Sequence, residues 1–113
     1  EYGQAESGFK KIIKEYPDFT VTPNSYYWLG EVYFLKNDWS RAAKQFFTAY
    51  QKYPTASKAA DSLYRLGLTL HELHKFDESC SALARVSVEF PKSSNFIRQG
   101  AADAMSRFNC TEQ

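Results

Sequence analysis

The chain has 113 residues, 43 % of them hydrophobic, and a formal net charge of +1 at pH 7. That is enough for one packed domain and too hydrophobic for a disordered segment. A near-neutral balance without clustered Lys and Arg excludes a dedicated nucleic-acid or anionic-membrane surface, and no apolar run approaches the ~20 residues of a membrane span.

The pattern predicts a first helix over about residues 2–16, with Ala5 and Phe9 one turn apart on one face. Lys10, Lys11 and Lys14 with Glu15 read as its wet side. It stops at Tyr16-Pro17, because Pro cannot continue a helix and pushes the preceding residue out of the α region. A second helix over about 24–36 carries Tyr26-Tyr27-Trp28-Leu29-Gly30-Glu31-Val32-Tyr33. Gly inside a helix costs about 1 kcal/mol against Ala, a cost that makes sense where two helices approach too closely for a side chain. The turn Asn37-Asp38 follows, then a helix over about 40–53 with Ala42 and Phe46, stopped at Tyr53-Pro54. The next pair covers about 57–73, with Leu63, Leu66-Gly67 and Leu70, and about 77–90, with Ser79 and Leu83, joined at His74-Lys75 and stopped at Phe90-Pro91. A last, more polar helix over about 94–109 contains Arg98, Gln99, Asp103 and Arg107 and suits a cap.

The three aromatic-Pro pairs are 37 residues apart in both steps, and sliding the chain by 37 aligns the rest. Tyr26-x2-Leu29-Gly30-x2-Tyr33, Ala42-x3-Phe46 and Pro54 resemble the tetratricopeptide (TPR) signature with its leading Trp replaced. Leu63-x2-Leu66-Gly67-x2-Leu70, Ser79-x3-Leu83 and Pro91 form a looser unit, and Ala5-x3-Phe9 with Pro17 is half of one. The resemblance implies an all-α superhelix (an α-solenoid) of about six helices, one domain over 1–113. Its expected units are 1–17 (second helix of a truncated repeat), 18–54, 55–91 and a capping 92–113. The period exceeds the usual ~34, which places about one extra turn at the start of each first helix. The unpaired first helix and the opening on Glu1 imply that the natural chain extends upstream.

Little in the chain reads as chemistry. His71-Glu72-Leu73-His74 lacks the zinc-protease spacing, no Gly-rich phosphate loop or nucleophile elbow exists, and Asn109-Cys110-Thr111 is a sequon too short to carry weight. The expectation is therefore no catalytic residue, no metal ligand and no cofactor. Two cysteines remain. In the repeat register Cys80/Cys110 falls on Ala43/Leu73 and on Glu6/Lys36. Each pair fits a contact between the first turn of one helix and the last turn of the next. Either Cys80 and Cys110 form a disulfide pinning the last helix, or they are two unrelated thiols, one buried and one in the tail. A disulfide would contribute about 3.5 kcal/mol in the chain-entropy model and imply an oxidising compartment.

In such solenoids the first helices of successive pairs line a concave face. Asn24, Tyr27, Glu31 and Phe34, then Asp61, Tyr64, Leu68 and His71, are expected there as two stripes with steps of three and four residues. Aromatic anchors with polar neighbours suit recognition of a peptide or helix, with Tyr27 and Tyr64 on the open face and the alternative of neighbour packing open for Phe34 and Leu68.

Two segments go beyond a generic repeat: Asn24 through Tyr33 with Asp38-Trp39, and Tyr53-Pro54-Thr55-Ala56-Ser57-Lys58-Ala59-Ala60-Asp61-Ser62-Leu63. With the 37-residue period they resemble the C-terminal domain of the YbgF/CpoB family, the Tol-Pal-associated cell-division coordinators of Gram-negative bacteria. The Cys80 and Cys110 placement is similar to that of alphaproteobacterial members. The resemblance implies a periplasmic protein with a trimeric N-terminal coiled coil upstream. It also implies binding to TolA and to a bifunctional peptidoglycan synthase, which couples septal wall synthesis to outer-membrane constriction. His74 departs from the family's more usual small residue or Gly. Two alternatives stand beside this reading. One is the TPR lipoprotein of the outer-membrane β-barrel assembly machinery, with similar Tyr-Pro stops. The other is the docking domain of a larger enzyme.

Overall fold

A computed structural model describes residues 2–17 and 21–111. Six helices form among the described residues: α1 (Tyr2–Glu15), α2 (Val21–Leu35), α3 (Trp39–Lys52), α4 (Ala59–Glu72), α5 (Phe76–Glu89) and α6 (Asn95–Arg107). Each packs on the helix before and after it, and α4 also touches α2 and α6, while the backbones of α1, α3 and α5 stay apart and α3 reaches α5 through Tyr50, which hydrogen-bonds with Arg85 and Glu89. The result is an elongated solenoid measuring 42 × 28 × 19 Å, with α2, α4 and α6 forming one layer and α1, α3 and α5 the other.

The element ends follow from the residues anticipated. α3 and α5 stop at Tyr53 and Phe90, whose backbone angles (φ −128°, ψ 61° and φ −128°, ψ 60°) are the same one period apart. α2 and α4 end in matching caps. Asn37 and His74 adopt left-handed backbone with φ of 60° and 61°, and the amides of Asp38 and Lys75 reach back to the carbonyls of Tyr33 and Leu70 at 2.9 Å. This is the 6→1 closure of a Schellman motif. It recurs after α6, where Asn109 has φ 55° and Cys110 N–H donates to the Met105 carbonyl. Asp38 caps α3 and Ser94 caps α6 through their side-chain oxygens.

Two starts differ from expectation. α2 begins at Val21 rather than near residue 24, and takes Pro23 into its first turn. The missing N–H of Pro would have had no intrahelical partner there. α4 begins at Ala59, after the turn that follows Pro54, rather than at 57. The expected start of the second unit, residue 18, lies outside the described residues.

Gly30 and Gly67 stand where α2 meets α3 and where α4 meets α5. A Cβ on Gly30 would lie 2.6 Å from the Phe46 ring, and one on Gly67 would lie 2.6 Å from Leu83. Phe46, Leu83, Ala42 and Ser79 are all fully buried. Ser79, in the register position of Ala42, donates its hydroxyl to the Gly67 carbonyl at 2.7 Å, so a small polar residue is satisfied in the core.

Two of the three register pairs are direct contacts. Lys36 Nζ lies 3.0 Å from the Glu6 carboxylate, which also receives Lys10 at 2.8 Å and the Tyr33 hydroxyl at 3.0 Å. Hydrogen bonds from Lys10, Lys36 and Tyr33 lower the Glu6 carboxyl to a pKa of about 2. Cys80 and Cys110 form a disulfide with their Cα atoms 5.5 Å apart, tying α5 to the segment after α6.

Candidate binding face

The layer of α2, α4 and α6 positions all eight expected face residues, because i, i+3, i+7, i+10 spacing on α2 and α4 aligns each set on one side of its helix. It does not leave them open. Tyr27 is only 7 % exposed, and the others are half-buried. The expectation that packing within a helix pair leaves these residues free is corrected by three ring contacts. Tyr27 lies 5.8 Å from Phe46, Phe34 lies 5.0 Å from Trp39, and His71 lies 5.0 Å from Phe76. Contacts to the next inner helix take up more. Tyr64 covers Gly100, where an added Cβ would come within 3.0 Å of the phenol. His71 stacks on Phe108 at 3.6 Å with planes 6° apart. Leu68 packs against the core, as does Phe34.

Electrostatics tie α2 to α4. The Arg65 guanidinium faces the Glu31 carboxylate. Nη2 donates to Oε2 at 3.0 Å, and Nε lies 2.9 Å from Oε1, off the line of a hydrogen bond. Burial raises the pKa of the Glu31 carboxyl, and the charge of Arg65 opposes that shift. Burial also raises the Tyr27 phenol. Arg65 lies over the Phe34 ring at 5.1 Å, and Lys58 sits 5.1 Å from the Tyr27 ring and 5.3 Å from that of Trp28. Asp61 lies 4.0 Å from Lys58.

What stays open is offset from the expected stripe. Trp28, next to Tyr27 and T-stacked on it at 4.9 Å, is 42 % exposed. Phe96 at the start of α6 is 79 % exposed. Between α2, α4 and α6 lies a hollow of about 200 Å³ walled by Tyr27, Tyr64, Phe96 and Ile97, with Asp61 and Arg65 at its edge. It therefore unites three expected residues (Tyr27, Asp61 and Tyr64) with four to which the sequence reading gave no binding role (Arg65, Ser94, Phe96 and Ile97). A signal was available: Ala101, in the register position of Tyr27 and Tyr64, marks that position as a helix–helix seam. Asn24, Glu31, Phe34, Leu68 and His71 do not line the hollow. Among the described residues no group of His, Cys, Asp and Glu is arranged to hold a metal, and no helix is long and apolar enough to cross a membrane.

An inner face of aromatic rings with a few charged edges, on a stack of paired helices, defines a TPR-type α-solenoid, a fold that serves as a protein–protein interaction module. Residues 5–86 match the family model described as anaphase-promoting complex, cyclosome, subunit 3, a TPR-like repeat family. The chain belongs to that family. No curated protein matches the chain.

Proposed function

We propose that the chain holds a partner protein on the face of α2, α4 and α6, and that it does so as part of a periplasmic, Tol-Pal-associated cell-division coordinator. The observation that carries the binding reading is the hollow between Tyr27, Tyr64 and Phe96. It is sized for an apolar side chain, has Asp61 and Arg65 to orient a polar neighbour, and has Trp28 exposed close by. The finer identity is supported by the resemblance of the segments around Trp28-Leu29-Gly30 and Tyr53-Pro54 to the YbgF/CpoB family. A periplasmic address is supported by the Cys80–Cys110 bond, since such bonds persist in oxidising compartments. On this reading the partners are TolA and a bifunctional peptidoglycan synthase, the repeat units are 18–54 and 55–91, and trimerisation belongs to a coiled coil upstream.

Calorimetric titration with the periplasmic part of TolA from the same organism tests the reading. Wild type is expected to bind. Trp28→Ala and Tyr64→Ala are expected to weaken binding by about tenfold or more, the loss of one aromatic anchor. Tyr27→Ala is less informative, because removing a buried ring also unsettles the fold. Binding indifferent to Trp28 and Tyr64 would remove the face from the proposal, and no binding by a folded chain would remove TolA.

A further inference from the structure

The repeat places three residue pairs at the same point of successive units: Glu6 with Lys36, Ala43 with Leu73, and Cys80 with Cys110. Two of the three are locked. The first is an ion pair at 3.0 Å and the last is a disulfide. The middle pair has no lock, and it lies on the wall of an open groove of about 600 Å³ between α3 and α5. In the first unit the register places of Leu70 and Phe47 are held by Tyr33 and Lys10, whose polar ends close over Glu6. In the last unit the disulfide occupies the corresponding place. Among the described residues the central groove lacks both devices at that end, and it is bridged only at its other end, where the Tyr50 hydroxyl meets Arg85 and Glu89.

The floor of this groove is α4 with Leu73, the residue that caps it: Leu63 and Leu66 are buried beneath, and Leu70 and Leu73 are half-buried along it. Leu70 and Leu73 lie one turn apart on that line and are the part of it that the side chains of another helix can reach. The walls are low because Ala43 and Ala82 are small, and Phe47 stands 44 % exposed at one side. Of the rim charges, Arg85 is engaged by Glu89 at 2.6 Å. Lys44 and Lys75 have no carboxylate paired with them among the described residues, against the single rim acid Glu78.

We propose that the α3–α4–α5 groove is a second docking site, on the opposite layer from the α2–α4–α6 face. It takes an amphipathic helix of a partner protein with a Leu-type stripe flanked by acidic side chains that meet Lys44 and Lys75. The site stands on the register comparison and the rim charge, and does not depend on what the inner face binds.

The test uses a fluorescein-labelled helical peptide of about 18 residues with Leu at i, i+3, i+7 and i+10 and Glu on both flanks, and a control with Lys in place of Glu. Fluorescence anisotropy with the full chain is expected to give a Kd of about 10 μM for the Glu peptide, with the Lys peptide at least about fivefold weaker. The double variant Ala43→Glu/Leu73→Lys transplants the first unit's own lock. It is expected to weaken the Glu peptide by about tenfold or more while helicity is retained, and Trp28→Ala, on the other layer, is expected to leave the affinity for the Glu peptide where it is. Should the double variant not fold, Lys44→Glu/Lys75→Glu alters only exposed positions and is expected to reverse the preference toward the Lys peptide. Equal binding of both peptides, indifference to the lock and to the charge reversal, or loss on Trp28→Ala would overturn the proposal. So would a concentration-dependent dimer in sedimentation that the lock abolishes, because the groove would then cover a second copy of the chain.

Discussion

Gly30→Ala puts the close approach of α2 and α3 to a quantitative test. Helix propensity alone favours Ala by about 1 kcal/mol. Against it, the new Cβ would lie 2.6, 2.7 and 2.9 Å from three carbons of the Phe46 ring. Ordinary carbon contacts begin nearer 3.5 Å, so the ring must move by about 1 Å. Phe46 has no exposed surface into which to retreat. Overpacking of this kind costs about 1–3 kcal/mol and sometimes more. Subtracting the propensity gain leaves a net loss of up to about 2 kcal/mol, which lowers the melting midpoint by several degrees in a domain of this size. Urea unfolding followed by circular dichroism at 222 nm measures it. Gly8→Ala is the control, because nothing lies within 4 Å of a Cβ there, and it is expected to be neutral or to stabilise by up to about 1 kcal/mol. If Gly30→Ala proved as stable as Gly8→Ala, the account of Gly30 as a packing residue would be wrong.

Further outcomes follow from the locks and caps. Reducing Cys80–Cys110, or replacing both with Ser, is expected to lower stability by about 3.5 kcal/mol, seen as a reductant-dependent midpoint that the double Ser variant no longer shows. The Glu6 carboxyl is held at about 2, below its usual 4.5. Its stabilisation is therefore complete above about pH 4.5 and is lost as pH falls toward 2. Because Lys10 and Lys36 are well exposed, the size is about 1 kcal/mol. Urea midpoints measured against pH should fall less steeply in Glu6→Gln over that window. His74 holds φ 61°, a strained angle for a residue with a Cβ. His74→Gly is expected to raise stability by about 0.5–1 kcal/mol despite losing the ring contact with Phe76. A drop in thermal midpoint would mean that this stacking outweighs the backbone strain.

Much of the fold is legible in local chemistry. An aromatic-Pro pair ends a helix wherever it stands, so the ends of α1, α3 and α5 are readable without neighbours. Gly30 and Gly67 announce close approach because Gly is otherwise unfavourable in a helix interior. The cysteine register is legible because a repeat carries contacts from one unit to the next. The start of α2 is less so, since Pro23 can break a helix or begin one. The inner face is the hardest to read. Which side of α2 meets α4 is set by how the helices rotate against each other, and one residue turns a side chain through about 100°. Tyr27 thus became a seam residue and Trp28 the exposed ring, while the hollow draws Phe96 from a helix to which the stripe reading gave no binding role. The central groove emerges only when the backbones of α3 and α5 are seen to stand apart, joined through Tyr50, Arg85 and Glu89.

The placement of the disulfide also sets how the molecule would behave under tension. A chain pulled from its two ends would transmit force through the Cys80–Cys110 bond, so the 30-residue span it closes would be shielded and could not lengthen. The measured extension would fall short of the full contour by about 100 Å. Among the described helices α1 packs on α2 alone and would peel away at low load, whereas the covalently closed end would unfold last and only as far as the bond allows. A solenoid built this way yields from its first helix and keeps a fixed remainder at the other end.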